Sequence, residues 1–184
     1  MSLTTTPTPR HTSRTGRQDR HAVRMSAAAA AALLIANGAV SLFGGDLTDH
    51  TRGPGMATEI LTGLSFLAGA AALASAARVH GWRAWLWWLA PLGMTIAGLT
   101  MVGVPLAGAE PPTWLFIAGA LPTFIGQVAV GVLGIPSRWP WWTGVGVALL
   151  MPIMFLAPFN TAFMAIVWIA VALTIREQTQ HRLA

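Results

Sequence analysis

Six runs of apolar residues, separated by short polar, glycine- or proline-bearing stretches, divide the chain at about 25–44, 56–77, 84–107, 114–134, 141–157 and 162–175. They are too long for the buried strands or core helices of a small soluble domain, and most approach the ~20 residues that a helix needs to cross hydrocarbon. The last two are shorter, with soft limits. The pattern predicts an all-α fold: a polytopic integral membrane protein, a bundle of six transmembrane helices over 25–176, flanked by tails at 1–24 and 177–184.

The stretch from His80 to Pro91, HGWRAWLWWLAP, fixes the register of the bundle. With Arg78 just before it, the stretch sets Arg83 beside Trp82, Trp85, Trp87 and Trp88 between two apolar runs. Indole rings favour headgroup depth because their bodies are apolar and their N–H groups want a polar partner, and Arg beside them marks the cytoplasmic side. A second boundary, RWPWW from Arg138 to Trp142, repeats the arrangement. The interface anchors are therefore Arg83, Trp85, Trp87, Trp88, Arg138 and Trp142. With both termini cytoplasmic, Arg52 alone of the eleven arginines falls outside, and Asp46, Asp49, Glu59 and Glu110 all lie on the outer side. Merging the last two runs would put Arg176 and Arg182 outside, against the bias of basic residues to internal loops.

Composition agrees. Of the 184 residues, 54% are hydrophobic and 9% charged, where a soluble domain carries about 25% charged residues. The net charge of +5 comes from arginine gathered near the N-terminus, and topology with anionic lipid accounts for it better than nucleic acid does. Without cysteine there is no disulfide, thiolate metal site or cysteine nucleophile. The absence of Lys and Tyr beside abundant Ala, Gly and Arg points to a GC-rich coding bias and a bacterial plasma membrane. Residues 1–24, rich in Thr, Ser, Pro and Arg and lacking an apolar period, are expected to be disordered.

The first run begins with six alanines, Ala27 to Ala32. Alanine inserts weakly and lets a partner backbone approach, so Ala28 and Ala32 are candidates for a helix-packing face. A cleaved signal peptide is a competing reading of this run. A faint repeat aligns Thr58 with Thr113, Ala74 with Ala129, Arg83 with Arg138 and Trp87 with Trp142, as a duplicated hairpin would.

Candidate chemistry is sparse. Asn37 and Gln127 lie mid-span, where an amide needs a partner, and they either bond across helices, even to each other, or line a polar pocket. Glu59, expected in the first turn of the second helix, is either a carboxylate favoured by the helix dipole or a membrane-embedded ion site. The loop DLTDH, Asp46 to His50, would present metal-ligand side chains on one face as a helical turn, whereas Asx turns explain the same residues. No metal or cofactor is expected. Without a serine beside a base, a phosphate loop or a zinc-binding helix motif, no enzymatic activity is expected either. PPTWLF at 111–116 resembles a motif fragment of the tryptophan-rich sensory protein family, but three predicted spans precede it where that family has one.

Two functions fit these residues. The first is a small accessory or helix-packing partner protein, docking another membrane protein or itself through Ala28 and Ala32. The second is a small-molecule carrier or substrate-binding membrane subunit. Six spans, both ends inside and the run Ala27 to Ala32 resemble the substrate-binding subunits of energy-coupling-factor vitamin transporters. That resemblance implies that the alanine-rich helix docks a coupling subunit, and that Asn37, Gln127 and the loop Asp46 to His50 line or gate a pocket.

Overall fold

The computed structural model describes residues 13–108, 112–156 and 159–176. Six helices follow one another: α1 Ser13–Phe43, α2 Gly53–Ala76, α3 Trp82–Ala107, α4 Thr113–Gly134, α5 Trp141–Leu156 and α6 Asn160–Thr174. The described residues contain no strand. Each helix packs on its neighbours in sequence, and α6 returns to pack on α1, closing a ring.

Four helices, α1 from Gln18 onward and α2 to α4, are long and apolar enough to cross a membrane. These are the helices of a membrane protein. At 16 and 15 residues, α5 and α6 occupy the runs predicted for them but reach only about 24 and 22 Å at 1.5 Å per residue, so their length alone does not establish two further spans.

The largest departure from expectation is at the start. The segment 13–24, expected to be disordered, is helical and continuous with α1. Two tertiary contacts that no local pattern reveals hold it there: Val23 is buried in the core, and Asp19 pairs with Arg78 beyond the end of α2. Residues 1–12, the C-terminal tail from Glu177 and Glu110 lie outside the described residues.

Local chemistry sets the other ends. Pro54 opens α2, where its missing N–H and fixed φ are tolerated. Gly108 ends α3 in the left-handed conformation, φ 62°, with its N–H donating to Val104 O at 3.0 Å. Pro136 and Pro140 bracket the short turn between α4 and α5. Small side chains then let the helices close up: Ala27, Ala30, Ala31, Ala72, Ala76 and Ala90 are all buried. At the α2–α3 contact a Cβ on Gly63 would stand 2.7 Å from Gly98 O, and one on Gly98 would stand 2.7 Å from Gly63 O. Leu99, Leu121, Val132, Ile166 and Leu173 face outward, the arrangement of a bundle whose solvent is lipid.

The ring has two chemically distinct ends. The acidic end carries the α1–α2 loop with Asp46, Asp49 and His50. The arginine end carries Arg20, Arg24, Arg78, Arg83, Arg138 and Arg176. Trp82, Trp85, Trp88, Trp141 and Trp142 are exposed at the arginine end and Trp114 at the other, as aromatic belts would be. Trp87 and Arg138, grouped with the surface anchors in sequence, are instead buried. The aligned hairpins therefore differ in environment. Arg83 is exposed while Arg138 is buried, and Trp87 is buried while Trp142 is half exposed.

Candidate functional site

A cavity of about 390 Å³ lies in the acidic-end half of the bundle, between α2, α3, α4 and α5. Its walls are apolar: Phe66 from α2, Met101 and Val104 from α3, Phe116 from α4, and Met151, Met154 and Phe155 from α5. Unbranched Met side chains adapt to an irregular shape. Half or more of the Phe116 and Phe155 side chains is exposed, so the cavity is open on that side.

Its polar groups are few and placed toward the acidic end. Glu59, Thr100 and Thr113 line it, and His50 covers it from the α1–α2 loop. The His50 Nδ1 to Glu59 Oε2 separation is 3.6 Å, an ion pair only when the imidazole is protonated. Because α2 begins at Gly53 and not near Met56, Glu59 stands in its second turn and not its first. The N-terminal dipole is correspondingly weaker there. The Thr100 hydroxyl donates to Ile96 O at 2.8 Å, which leaves its oxygen able to accept. Among the lining residues, Glu59 and His50 are the titratable ones.

The two mid-span amides are buried but do not meet. Asn37 Nδ2 donates to Thr62 Oγ1 at 2.8 Å, bonding α1 to α2. That hydroxyl donates on to Thr58 O, and Thr58 Oγ1 to Gly55 O. Gln127 Nε2 reaches only the Met94 thioether, at 3.6 Å. The Oδ1 of Asn37 and the Oε1 of Gln127 have no hydrogen-bond partner. Neither residue lines the cavity. Thr58, Thr62 and Ser65 stand four and three apart, so they share one helix face. That spacing could have identified α2 as the polar partner of Asn37.

DLTDH is a loop and not a helical turn. Asp46 Oδ1 accepts from the N–H and hydroxyl of Thr48 at 2.9 and 2.8 Å, and Asp49 Oδ1 from those of Thr51 at 2.9 and 2.7 Å. These backbone and side-chain hydrogen bonds hold both carboxyls below the usual aspartate range. Among the described residues no three His, Asp or Glu side chains gather as metal ligands.

At the arginine end, Trp87 Nε1 donates to Leu73 O at 2.9 Å, and its ring stacks on Trp139 at 5.9 Å between centroids. Arg83 lies over the Trp82 ring at 5.7 Å, a cation–π contact at an exposed site. Ala28 and Ala32 are exposed on the outside of α1, whereas Ala27 and Ala31 face the core. Arg138 is buried, and burial, followed by the nearby Arg78 guanidinium, pulls it below the ordinary arginine range.

Comparison with protein-family models, with curated proteins and with solved structures finds no match. The likeness to vitamin-transporter substrate subunits thus rests on helix number and the alanine run.

Proposed function

We propose that this chain is a multi-pass membrane protein that binds a small amphiphilic molecule in the acidic-end cavity, as a carrier or as the substrate-binding subunit of a transporter. One observation carries the reading: an apolar chamber of about 390 Å³ with a carboxylate and an imidazole at its polar end. Ligand sites are of this kind, mostly apolar walls with a few polar groups that fix orientation. The ligand has an apolar body for Phe66, Met101 and Met151. Its head carries a hydrogen-bond donor or positive charge, which takes the place of His50 beside Glu59. The mostly apolar lining with few polar groups supports binding as the role of the site.

All six helices span in this reading, with both ends in the cytoplasm of a bacterial cell. The arginine end faces inward, as positive-inside bias requires. The exposed Ala28 and Ala32 support a second role, docking of another membrane protein or a second copy on α1.

The test is native mass spectrometry on protein gently extracted from its own membranes. A small molecule retained by the wild type and lost in Met101→Trp, which fills the cavity, is expected. Glu59→Gln should weaken its retention. Retention unchanged in Met101→Trp, or no small molecule at all, would overturn the assignment. Ala28→Leu with Ala32→Leu should remove any protein partner and leave the small molecule bound.

A further inference from the structure

We infer that the arginine end holds a phosphate-binding site built on the guanidinium of Arg138. Arg138 is 7% exposed, and its Nε and Nη2 have no hydrogen-bond partner. A buried cation in that condition is costly unless an anion accompanies it. The protein supplies none among the described residues. Asp19, the described acid at this end, is taken by Arg78. The last carbonyl of α4 does not serve either. Gly134 O already accepts from the N–H groups of Ser137, Arg138 and Trp139, at 3.2, 2.7 and 3.3 Å.

The backbone that carries the side chain is tied down. Arg138 O accepts from Arg176 N–H at 2.8 Å, tying the turn to the end of α6. The next residue, Trp139, is fully buried, stacked on Trp87 and packed over Gly134. The Nε and Nη2 edge of a guanidinium sets two N–H donors side by side, the geometry that phosphate oxygens accept bidentately; in Arg138 both atoms are unpartnered and buried, so an anion reaches them only as their cover moves aside. Exposed Trp85, Trp88, Trp141 and Trp142 at the same end are suited to headgroup depth. A phosphate can arrive at this end either as part of an anionic lipid or as a free ion.

The test uses the full chain in neutral detergent, following thermal unfolding by circular dichroism. The probes are phosphatidylglycerol mixed micelles, phosphatidylcholine mixed micelles, and inorganic phosphate against chloride of matched ionic strength. We expect phosphatidylglycerol or inorganic phosphate to raise the midpoint. A response to phosphatidylglycerol alone assigns the phosphate to a lipid headgroup, and a response to inorganic phosphate assigns it to a soluble ion. Arg138→Gln should lower affinity for the active probe about tenfold or more, whereas Arg83→Gln, an exposed arginine of the same end, should not. If Arg138→Gln fails to fold, Arg138→Lys keeps the charge and loses the fork, and must still bind more weakly than the wild type. No stabilisation by either probe, or equal loss in Arg83→Gln and Arg138→Gln, would overturn the site.

Discussion

Trp87 offers the sharpest test of the packing. Four tryptophans crowd the start of α3, and a pure boundary role would make Trp82, Trp85, Trp87 and Trp88 interchangeable. The structure separates them: Trp85 is 80% exposed and Trp87 is 1% exposed. The indole of Trp87 also completes a helix end. Ala77 N–H, which would close the last α-helical bond onto Leu73 O, turns instead to Ala74 O at 3.1 Å. Leu73 O is thus one of the orphan carbonyls of a helix C-terminus, and Trp87 Nε1 is its donor.

Trp87→Phe keeps most of the ring and leaves that carbonyl unpaired inside the bundle, a cost of about 1–3 kcal/mol. Trp87→Ala also loses the stack on Trp139 and opens a cavity, which raises the cost to about 3–5 kcal/mol. The lower part of that range is expected, because helices that separate in a bilayer remain among apolar chains and the transfer contribution shrinks. Trp85→Ala should stay within about 0.5 kcal/mol. Reversible unfolding of reconstituted protein by dodecyl sulfate, followed by far-ultraviolet circular dichroism, measures all three. Equal effects of Trp85→Ala and Trp87→Ala would refute the reasoning. So would Trp87→Phe at wild-type stability.

The mid-span amides should behave differently from each other in the same assay. Asn37→Leu should cost roughly 0.6–2 kcal/mol, and Thr62→Val should add little on top of it because the two share one bond. Gln127→Leu, which gives up only a thioether contact and an unpaired oxygen, should be neutral or stabilising. At α2–α3, Gly63→Ala should cost about 1–3 kcal/mol, since its Cβ meets a backbone oxygen that cannot move aside cheaply. In the α1–α2 loop, hydrogen bonds favour the ionised carboxylates, so the folded titration of Asp46 and Asp49 lies below the unfolded one. Their contribution is present above the ordinary aspartate range and is lost as pH falls through the depressed values. Carboxyl titration by nuclear magnetic resonance should show both midpoints low, and Thr48→Val and Thr51→Val should each return the matching one toward normal.

Helix positions were largely legible because each depends on an unbroken apolar run and a breaker, and both are properties of consecutive residues. The six helices begin and end close to the runs, except where tertiary contacts decide. Asp19 with Arg78 and the burial of Val23 extend α1 by a dozen residues into a segment whose composition reads as disordered. Side-chain partners were less legible. That Asn37 and Gln127 need partners follows from their depth in the apolar runs, but which helix faces each depends on rotations about the axes that composition does not encode. Trp139 is instructive. It precedes Pro140, which disfavours helical backbone, so it sits in the turn and not on a lipid-facing helix surface. Its burial could have been suspected from the order Trp-Pro-Trp-Trp.

The two ends of the bundle are unequal in how their charges are met, and that inequality separates the two proposed sites. At the acidic end each described carboxylate has its own partner: Asp46 has Thr48, Asp49 has Thr51 and Glu59 has His50. The aspartates are held by short bonds within their own turns and offer an arriving cation little. Glu59 is held only across 3.6 Å by an imidazole that is itself exposed on a loop, so a ligand donor can displace that partner without disturbing a helix. At the arginine end the backbone of Arg138 is tied into its turn, and its guanidinium Nε and Nη2 have no partner to displace. A ligand at the first end must therefore compete, and binding there is expected to reposition the α1–α2 loop. A phosphate at the second end pairs a guanidinium that has no partner and is expected to stabilise the turn around it. Hydrogen exchange on the bound protein distinguishes the two: the small molecule should change protection at 46–52, and the phosphate should raise it at 135–139 alone.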